Sequence, residues 1–274
     1  MEVEVLERDE YNLRLLIRDV DVPFMNALRR IMISEVPCMA VDEVVMLENY
    51  SILPDETIAH RFGLIPLKTD LESYNLPEEC PCKSEFGCNL CRVTLTLDAE
   101  AKEGTRTVYS NELTSENPGI VPVSEKIPIA KLAKGHKIRL EAYARLGKGK
   151  NHVKWQPVSM CAYKYFPRIE IQSKRCDVCG KCIDICPKKV LAKTDNKMEV
   201  RNLMACTMCQ DCVEACPEEP KAIKVGWEEN AFILNLESTG ALPPERIVKE
   251  AVKILEGQLG ELESQIKVKK SEEA

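Results

Sequence analysis

No stretch of this chain is apolar for long enough to cross a bilayer, and the opening M-E-V-E-V-L-E-R is charged where a secretory leader would be apolar. Neither export nor membrane insertion is expected. An excess of positive charge is also missing, since 38 Lys and Arg face 44 Asp and Glu for a net charge of −6. With a pI near 5.4, the chain has no broad phosphate-binding face, and any contact with DNA is expected to be indirect. There is no Gly-x-Gly-x-x-Gly dinucleotide loop, and no haem or flavin signature. Nor is there a nucleophile–base constellation or a Mg-binding carboxylate cluster for nucleotidyl transfer. No catalytic residue is therefore expected in this chain.

What is present in abundance is cysteine, 14 residues in a chain of 274. Without a secretory leader, so many thiols argue for metal ligation in a reducing compartment, the cytoplasm, rather than for disulfides. The length suggests about two domains. An apolar share of 45% with 30% charged residues is the balance of an ordinary globular protein.

Eight of the thiols lie in two runs, C-D-V-C-G-K-C-I-D-I-C-P (176–187) and C-T-M-C-Q-D-C-V-E-A-C-P (206–217). Each is C-x2-C-x2-C-x3-C-P, the spacing that holds a [4Fe-4S] cube, and in the two-cluster form the fourth Cys of each run ligates the other cube. One cluster would take Cys176, Cys179, Cys182 and Cys216, and the other Cys206, Cys209, Cys212 and Cys186. Soft thiolates select iron–sulfur or zinc, so a pair of zinc knuckles or reduced core thiols is the competing reading. The segment from about Lys174 to Val225 resembles a bacterial-type two-cluster ferredoxin.

Four further thiols, Cys80, Cys82, Cys88 and Cys91, fall within twelve residues. They can close a tetrahedral Zn site with the final C-x2-C as its knuckle, although the C-x-C pair is tighter than usual. Cys38 and Cys161 sit between apolar neighbours and are expected to be buried filler. Glu56 and His60 stand four apart like half of a zinc-protease motif. The second His is absent and the chain has three in all, so a structural role is expected for His60.

Periodicity supplies the frame. Val3, Val5, Leu13, Leu15 and Ile17 alternate around a polar turn, which predicts a hairpin with one buried face. Asp21 can cap a helix that must end before Pro37. Its stripe of Phe24, Met25, Leu28, Ile31, Met32 and Val36 fits a core helix and a partner interface equally well. Pro54 opens a short helix that Gly63 can stop in a left-handed conformation. Strands are expected at 93–97, 137–146 and 158–171, the last as one or two. The basic link 147–155 reads as a short charged turn, with a nucleic-acid loop the alternative. After the cysteine runs, Phe232, Leu234 and Leu236 predict a strand, and Pro243 and Pro244 open the last helix. There Val248, Val252, Leu255, Leu259, Leu262 and Ile266 follow a 4-3-4-3-4 spacing, a seam by which helices pair. The charged tail from Lys267 is expected to fray.

Four stretches carry a wider resemblance: V-P-F-M-N-A-L-R-R-I-M-I-S-E-V-P (22–37), I-L-P-D-E-T-I-A-H-R-F-G-L-I-P-L (52–67), G-K-N-H-V-K-W-Q-P-V (149–158) and F-I-L-N-L-E-S-T-G-A-L-P-P-E (232–245). Together they resemble the alpha-type subunits of cellular RNA polymerases. That family includes the third-largest subunit of eukaryotic polymerase II, the bacterial alpha amino-terminal domain and their archaeal counterpart. Ferredoxin-type cysteines between the third and fourth stretches point to the archaeal branch. The 80–91 loop is similar to the zinc loop of the eukaryotic relatives.

The resemblance implies an α+β fold. A dimerisation and assembly domain of 1–40 plus 226–274 would carry a β-rich insertion of 41–171 and a ferredoxin-like insertion of 172–225. It further implies a non-catalytic platform for polymerase assembly, an enzyme only through its complex, pairing as a heterodimer with a small alpha-like subunit. The expected interface is Phe24, Leu28, Ile31 and Met32 with Val248, Val252, Leu255, Leu259 and Leu262. The implied cofactors are two [4Fe-4S] clusters, of structural or redox-sensing role, and one Zn. The competing function is a ferredoxin-like electron carrier.

Overall fold

A computed structural model describes residues 1–272 except Glu85 and Asn196, and side chains only as far as Ile266. The elements in chain order are β1 (Glu2–Arg8), β2 (Asn12–Arg18), α1 (Val22–Ser34), β3 (Pro37–Asn49) and α2 (Asp55–Gly63). There follow β4 (Val93–Glu100), β5 (Arg106–Tyr109), β6 (Thr114–Ser115), β7 (Pro128–Leu132), β8 (Lys137–Lys148) and β9 (Val158–Ile171). The cysteine-rich segment contributes α3 (Lys181–Asp184), β10 (Leu191–Thr194), β11 (Lys197–Val200) and α4 (Asp211–Glu214), before β12 (Ile223–Ser238) and α5 (Pro244–Glu272). The mixture is α+β, and no described helix is long and apolar enough to cross a membrane. The fray expected from Lys267 concerns side chains outside the described residues, while the backbone of α5 is helical to Glu272.

Two compact units divide the chain, the first made of 1–6, 14–25 and 162–235, the second of 7–13, 26–161 and 236–274. The first unit is built on the sheet β1-β2-β12-β9. In it Leu16, Phe166 and Ile233 form a buried cluster, with Leu203 and Met204 of the cysteine segment packed against them. Tyr163 and Tyr165 of β9 lay their rings 5.6 and 5.0 Å from that of Phe232, the kind of offset and edge contact aromatic quadrupoles favour. The valines of β1 depart from the expected alternation: Val3 and Val5 are exposed, whereas Leu15, Leu16 and Ile17 of β2 are all buried. The physical reason is position, because β1 ends the sheet and β2 lies inside it.

The second unit centres on the sheet β3-β8-β4-β6. Strict alternation in β4 turns Val93, Leu95, Leu97 and Ala99 inward, opposite the β8 residues Ile138, Leu140, Ala142 and Ala144. Helix α2 places Ile58 and Phe62 in the same core. Its Asp55 and Glu56 at the start and His60 and Arg61 at the end complement the helix dipole. The expected left-handed stop at Gly63 is not used: the helix ends at Leu64 with φ −93°. Gly147 is required for a different reason. A Cβ there would fall inside the ring of Trp155, which is buried and donates from Nε1 to the Arg145 carbonyl at 3.2 Å.

Asp21 caps α1, its Oδ1 accepting the Phe24 amide at 3.0 Å. Leu28, Ile31 and Met32 of that helix are buried within the chain, Leu28 at 3% exposure. Helix α5 buries Ile247 and Ala251.

Candidate metal centres

The 80–91 loop brings four sulfurs to within 4.8 Å of one another, the one such convergence of His, Cys, Asp or Glu donors among the described residues. Cys80 and Cys88 are 3.7 Å apart, Cys82 and Cys91 3.9 Å, and Cys88 and Cys91 3.9 Å. A tetrahedron of sulfurs about 2.3 Å from zinc has an edge of about 3.8 Å, so the donor set fits one zinc ion. The knuckle is made by local amides. Cys88 N–H donates to the Cys91 sulfur at 3.1 Å and Leu90 N–H to the Cys88 sulfur at 3.4 Å. Cys82 is the acidic thiol of the set, brought down to about 7 by the Ser84 backbone first and then by the Cys80 thiol. Thiolate character is what metal binding needs at neutral pH.

The other eight thiols stand around two cavities in the first unit. One of about 380 Å³, counting its open mouth, is lined by Cys176, Cys179, Cys182 and Cys216. A second of the same size is lined by Cys186, Cys206, Cys209 and Cys212. Each cavity thus draws three thiols from one run and the fourth from the other. Burial raises the Cys182 thiol pKa, reinforced by Cys176, Cys179 and Cys216. Burial likewise pushes Cys212 up to about 11, reinforced by Cys206, Cys209 and Cys186. In neither cavity do the sulfurs converge tightly enough for a single ion. A wide ring of soft donors on apolar walls, Ile171 and Ile223 in one and Ile169 and Val225 in the other, fits a multi-iron cluster.

The two halves are copies in backbone as well as in sequence. Val178 and Met208 sit at φ 57° and 58°, and Gly180 and Gln210 at 84° and 73°. A branched residue at positive φ is costly. Such left-handed steps turn successive amides toward a concavity, the arrangement that receives an anion. Short helices α3 and α4 then carry Cys182 and Cys212.

Sequence reading missed the basic residues behind the second cavity. Lys164 of β9 donates from Nζ to the carbonyls of Met204 and Cys206, both at 2.7 Å. Arg14 of β2 donates to the same Met204 carbonyl at 3.2 Å. Burial lowers the Lys164 pKa, and the neighbouring Arg14 charge adds to that, as does Lys188. Lys164 and Arg14 stand 40 and 190 positions from the Met204 carbonyl they share, and nothing in the spacing announces them.

Other expected features are placed as follows. Glu56 and His60 are exposed on α2. Cys38 is buried and hydrogen-bonds Thr69, and burial pushes its thiol up to about 11. The basic link is neutralised locally: Lys150 pairs with Glu35 at 2.9 Å, and Lys154 and Arg145 share Asp42. Of the expected interface residues, Leu28, Ile31 and Met32 are covered by the chain itself and Phe24, Val248 and Leu255 are half-buried. Val252, Leu259 and Leu262 are open at 37%, 58% and 55%.

Comparison with known proteins supplies a context for this site. A family model for the RNA polymerase Rpb3/Rpb11 dimerisation domain matches residues 14–259. The DNA-directed RNA polymerase subunit Rpo3 of Methanothermobacter thermautotrophicus is 44% identical over 258 residues, 93% of this chain and 95% of that protein. The protein of the same name from Archaeoglobus fulgidus is 42% identical over 261 residues, 95% of this chain and 96% of its own length. That of Methanosphaera stadtmanae is 38% identical over 257 residues, covering 93% and 94%.

Proposed function

The chain belongs to the RNA polymerase Rpb3/Rpb11 dimerisation family, and on that premise we propose that it is the alpha-type assembly platform of an archaeal DNA-directed RNA polymerase. It takes part in nucleotidyl transfer only through the complex and carries no active site of its own. Its partner is a small alpha-like subunit, with further polymerase subunits joining the pair, in the cytoplasm. DNA is reached only through the assembled enzyme.

The observation that carries this reading is the extent of the match. It runs from 14 to 259, on both sides of the cysteine runs, and this supports reading the ferredoxin-like segment as an insertion within a polymerase subunit. A free electron carrier would need no such frame. The pairing surface we infer includes the exposed seam of α5, where Val252, Leu259 and Leu262 leave an apolar ridge on the isolated chain.

Two [4Fe-4S] clusters fit the two thiol-lined cavities, and one zinc fits the 80–91 loop. Bound there, the clusters supply metal–ligand bonds that hold the segment together. The chain's own residues would do the rest: eight thiolates bind, and the buried Leu191, Ala222 and Ile223 form the apolar core beside them. Anaerobic affinity purification of the chain tests the reading. Co-elution with polymerase subunits is expected. A chain that emerges alone, with iron and with an electron-transfer partner, would instead be the ferredoxin-like carrier.

A further inference from the structure

The two cavities are alike in size and thiol count but differ in the charged residues of their walls. The cavity of Cys176, Cys179, Cys182 and Cys216 has Asp177 and Glu218 in its wall, with Lys221 donating to the Cys216 carbonyl at 2.7 Å and Lys193 to the Val178 carbonyl at 3.3 Å. The cavity of Cys186, Cys206, Cys209 and Cys212 has Lys188 in its wall and no carboxylate. Behind it stand Lys164, bridging the Met204 and Cys206 carbonyls, and Arg14 on Met204. Neither cation meets a carboxylate among the described residues, and Arg14 Nε is buried without a hydrogen-bond partner. Half-buried and without a carboxylate partner, these two cations put positive charge beside the second cavity, and four thiolates with an iron–sulfur core would supply the opposite charge there.

Hydrogen bonding to sulfur is unequal in the same direction. Val190 N–H donates to the Cys186 sulfur at 3.5 Å and Met208 N–H to the Cys206 sulfur at 3.4 Å. Among the described residues no amide donates to the sulfurs of Cys176 or Cys216. Net charge and hydrogen bonds to sulfur are the levers that set cluster potential.

We propose that Lys164 and Arg14, with these amides, make the second cavity the electron-accepting site of the pair, so that a cluster held by Cys186, Cys206, Cys209 and Cys212 has the more positive potential. The inference rests on the reading that both cavities hold [4Fe-4S] clusters. Each couple takes one electron from a low-potential one-electron donor, dithionite in the test, and no bond to the protein forms or breaks. Lys164 acts as a positioning and tuning residue, through the Cys206 carbonyl, and reaches no iron itself.

The test is a redox titration of anaerobic full-length chain, followed by electron paramagnetic resonance alongside iron and sulfide analysis. Two separate waves are expected. Cys179→Ser, which removes the first cluster, should leave the more positive wave. Lys164→Gln keeps a donor and removes the charge. It should shift that wave so that the reduced-to-oxidised ratio at fixed potential falls roughly tenfold, equivalent to about 59 mV for a one-electron couple. The other wave should stay put, and Lys164→Arg should restore the original value. If Lys164→Gln fails to retain iron, Arg14→Gln carries the same expectation with a smaller shift. Coincident waves, or a shift in the wrong wave, with iron and sulfide intact would overturn the proposal and leave the cluster assignment standing. Wild-type chain without sulfide would overturn the cluster assignment itself.

Discussion

Cys80 and Cys88 meet sulfur to sulfur at 3.7 Å across eight residues of chain, a separation that costs two thiolates about 1–4 kcal/mol unless a cation lies between them. Cys82 and Cys91 complete the figure at 3.9 Å. Purified chain is therefore expected to carry about one zinc beyond its iron. Cys80→Ser or Cys91→Ser should lose it, as read by elemental analysis. Unchanged zinc in both variants would remove the site.

The crossing of thiols between the two cavities makes a second expectation. Wild-type chain should hold about eight irons and eight sulfides, and Cys216→Ser about four of each. Combining Cys216→Ser with Cys176→Ser should lose nothing more, because both serve one cavity. Combining Cys186→Ser with Cys176→Ser should empty both. The reverse pattern, both clusters lost in Cys216→Ser with Cys176→Ser and only one in Cys186→Ser with Cys176→Ser, would show that each run ligates its own cluster.

For partner binding, α1 and α5 make different predictions. Leu28 is buried in the chain itself, so Leu28→Asp should unfold the second unit. Loss of the leucine alone is worth about 2–5 kcal/mol, and an unpaired carboxylate adds to it. Leu259→Asp and Leu262→Asp fall on exposed positions and should leave the melting of the isolated chain within about 0.5 kcal/mol. In co-expression with the small alpha-like subunit they should weaken pairing at least tenfold, or about 1.4 kcal/mol. Intact pairing in both would move the interface away from the α5 seam.

Gly147→Ala tests the β8 end of the second unit. The added methyl meets the Trp155 ring, so a loss of roughly 1–3 kcal/mol is expected. The thermal transition should fall while iron and zinc stay bound. An unaltered transition would mean that Trp155 can move aside at no cost.

Much of this was legible from local grammar. The Asp21 cap, the alternation of β4 and the C-x2-C spacings each depend on residues only a few positions apart. The length of β3 was not. Its Cys38, Met39, Ala40 and Val41 are all buried, and the pairing with β8 then slips between Val41 and Glu43 and again between Met46 and Glu48. Irregularities of that kind break the period-two signal on which a strand is recognised. The exposure of Val3 and Val5 depends on which strand ends the sheet, and the burial of Leu28 on what covers α1. An apolar stripe looks the same in sequence whether its cover is the same chain or another. Lys164 and Arg14 were illegible for a related reason: their role is set by two carbonyls from a segment about forty and 190 positions away.

The interlocking of the two cysteine runs has a consequence for how the metal centres assemble. The chain between Cys176 and Cys216 encloses that between Cys186 and Cys212, and each cavity takes ligands from both runs. A first cluster that joins Cys216 to Cys176 therefore closes the outer loop and absorbs most of the closure entropy. The inner four thiols are then already neighbours, and the second cluster forms at little further entropic cost. Loading becomes all-or-none, and at limiting iron a population of these chains should divide into full and empty, with half-filled molecules scarce.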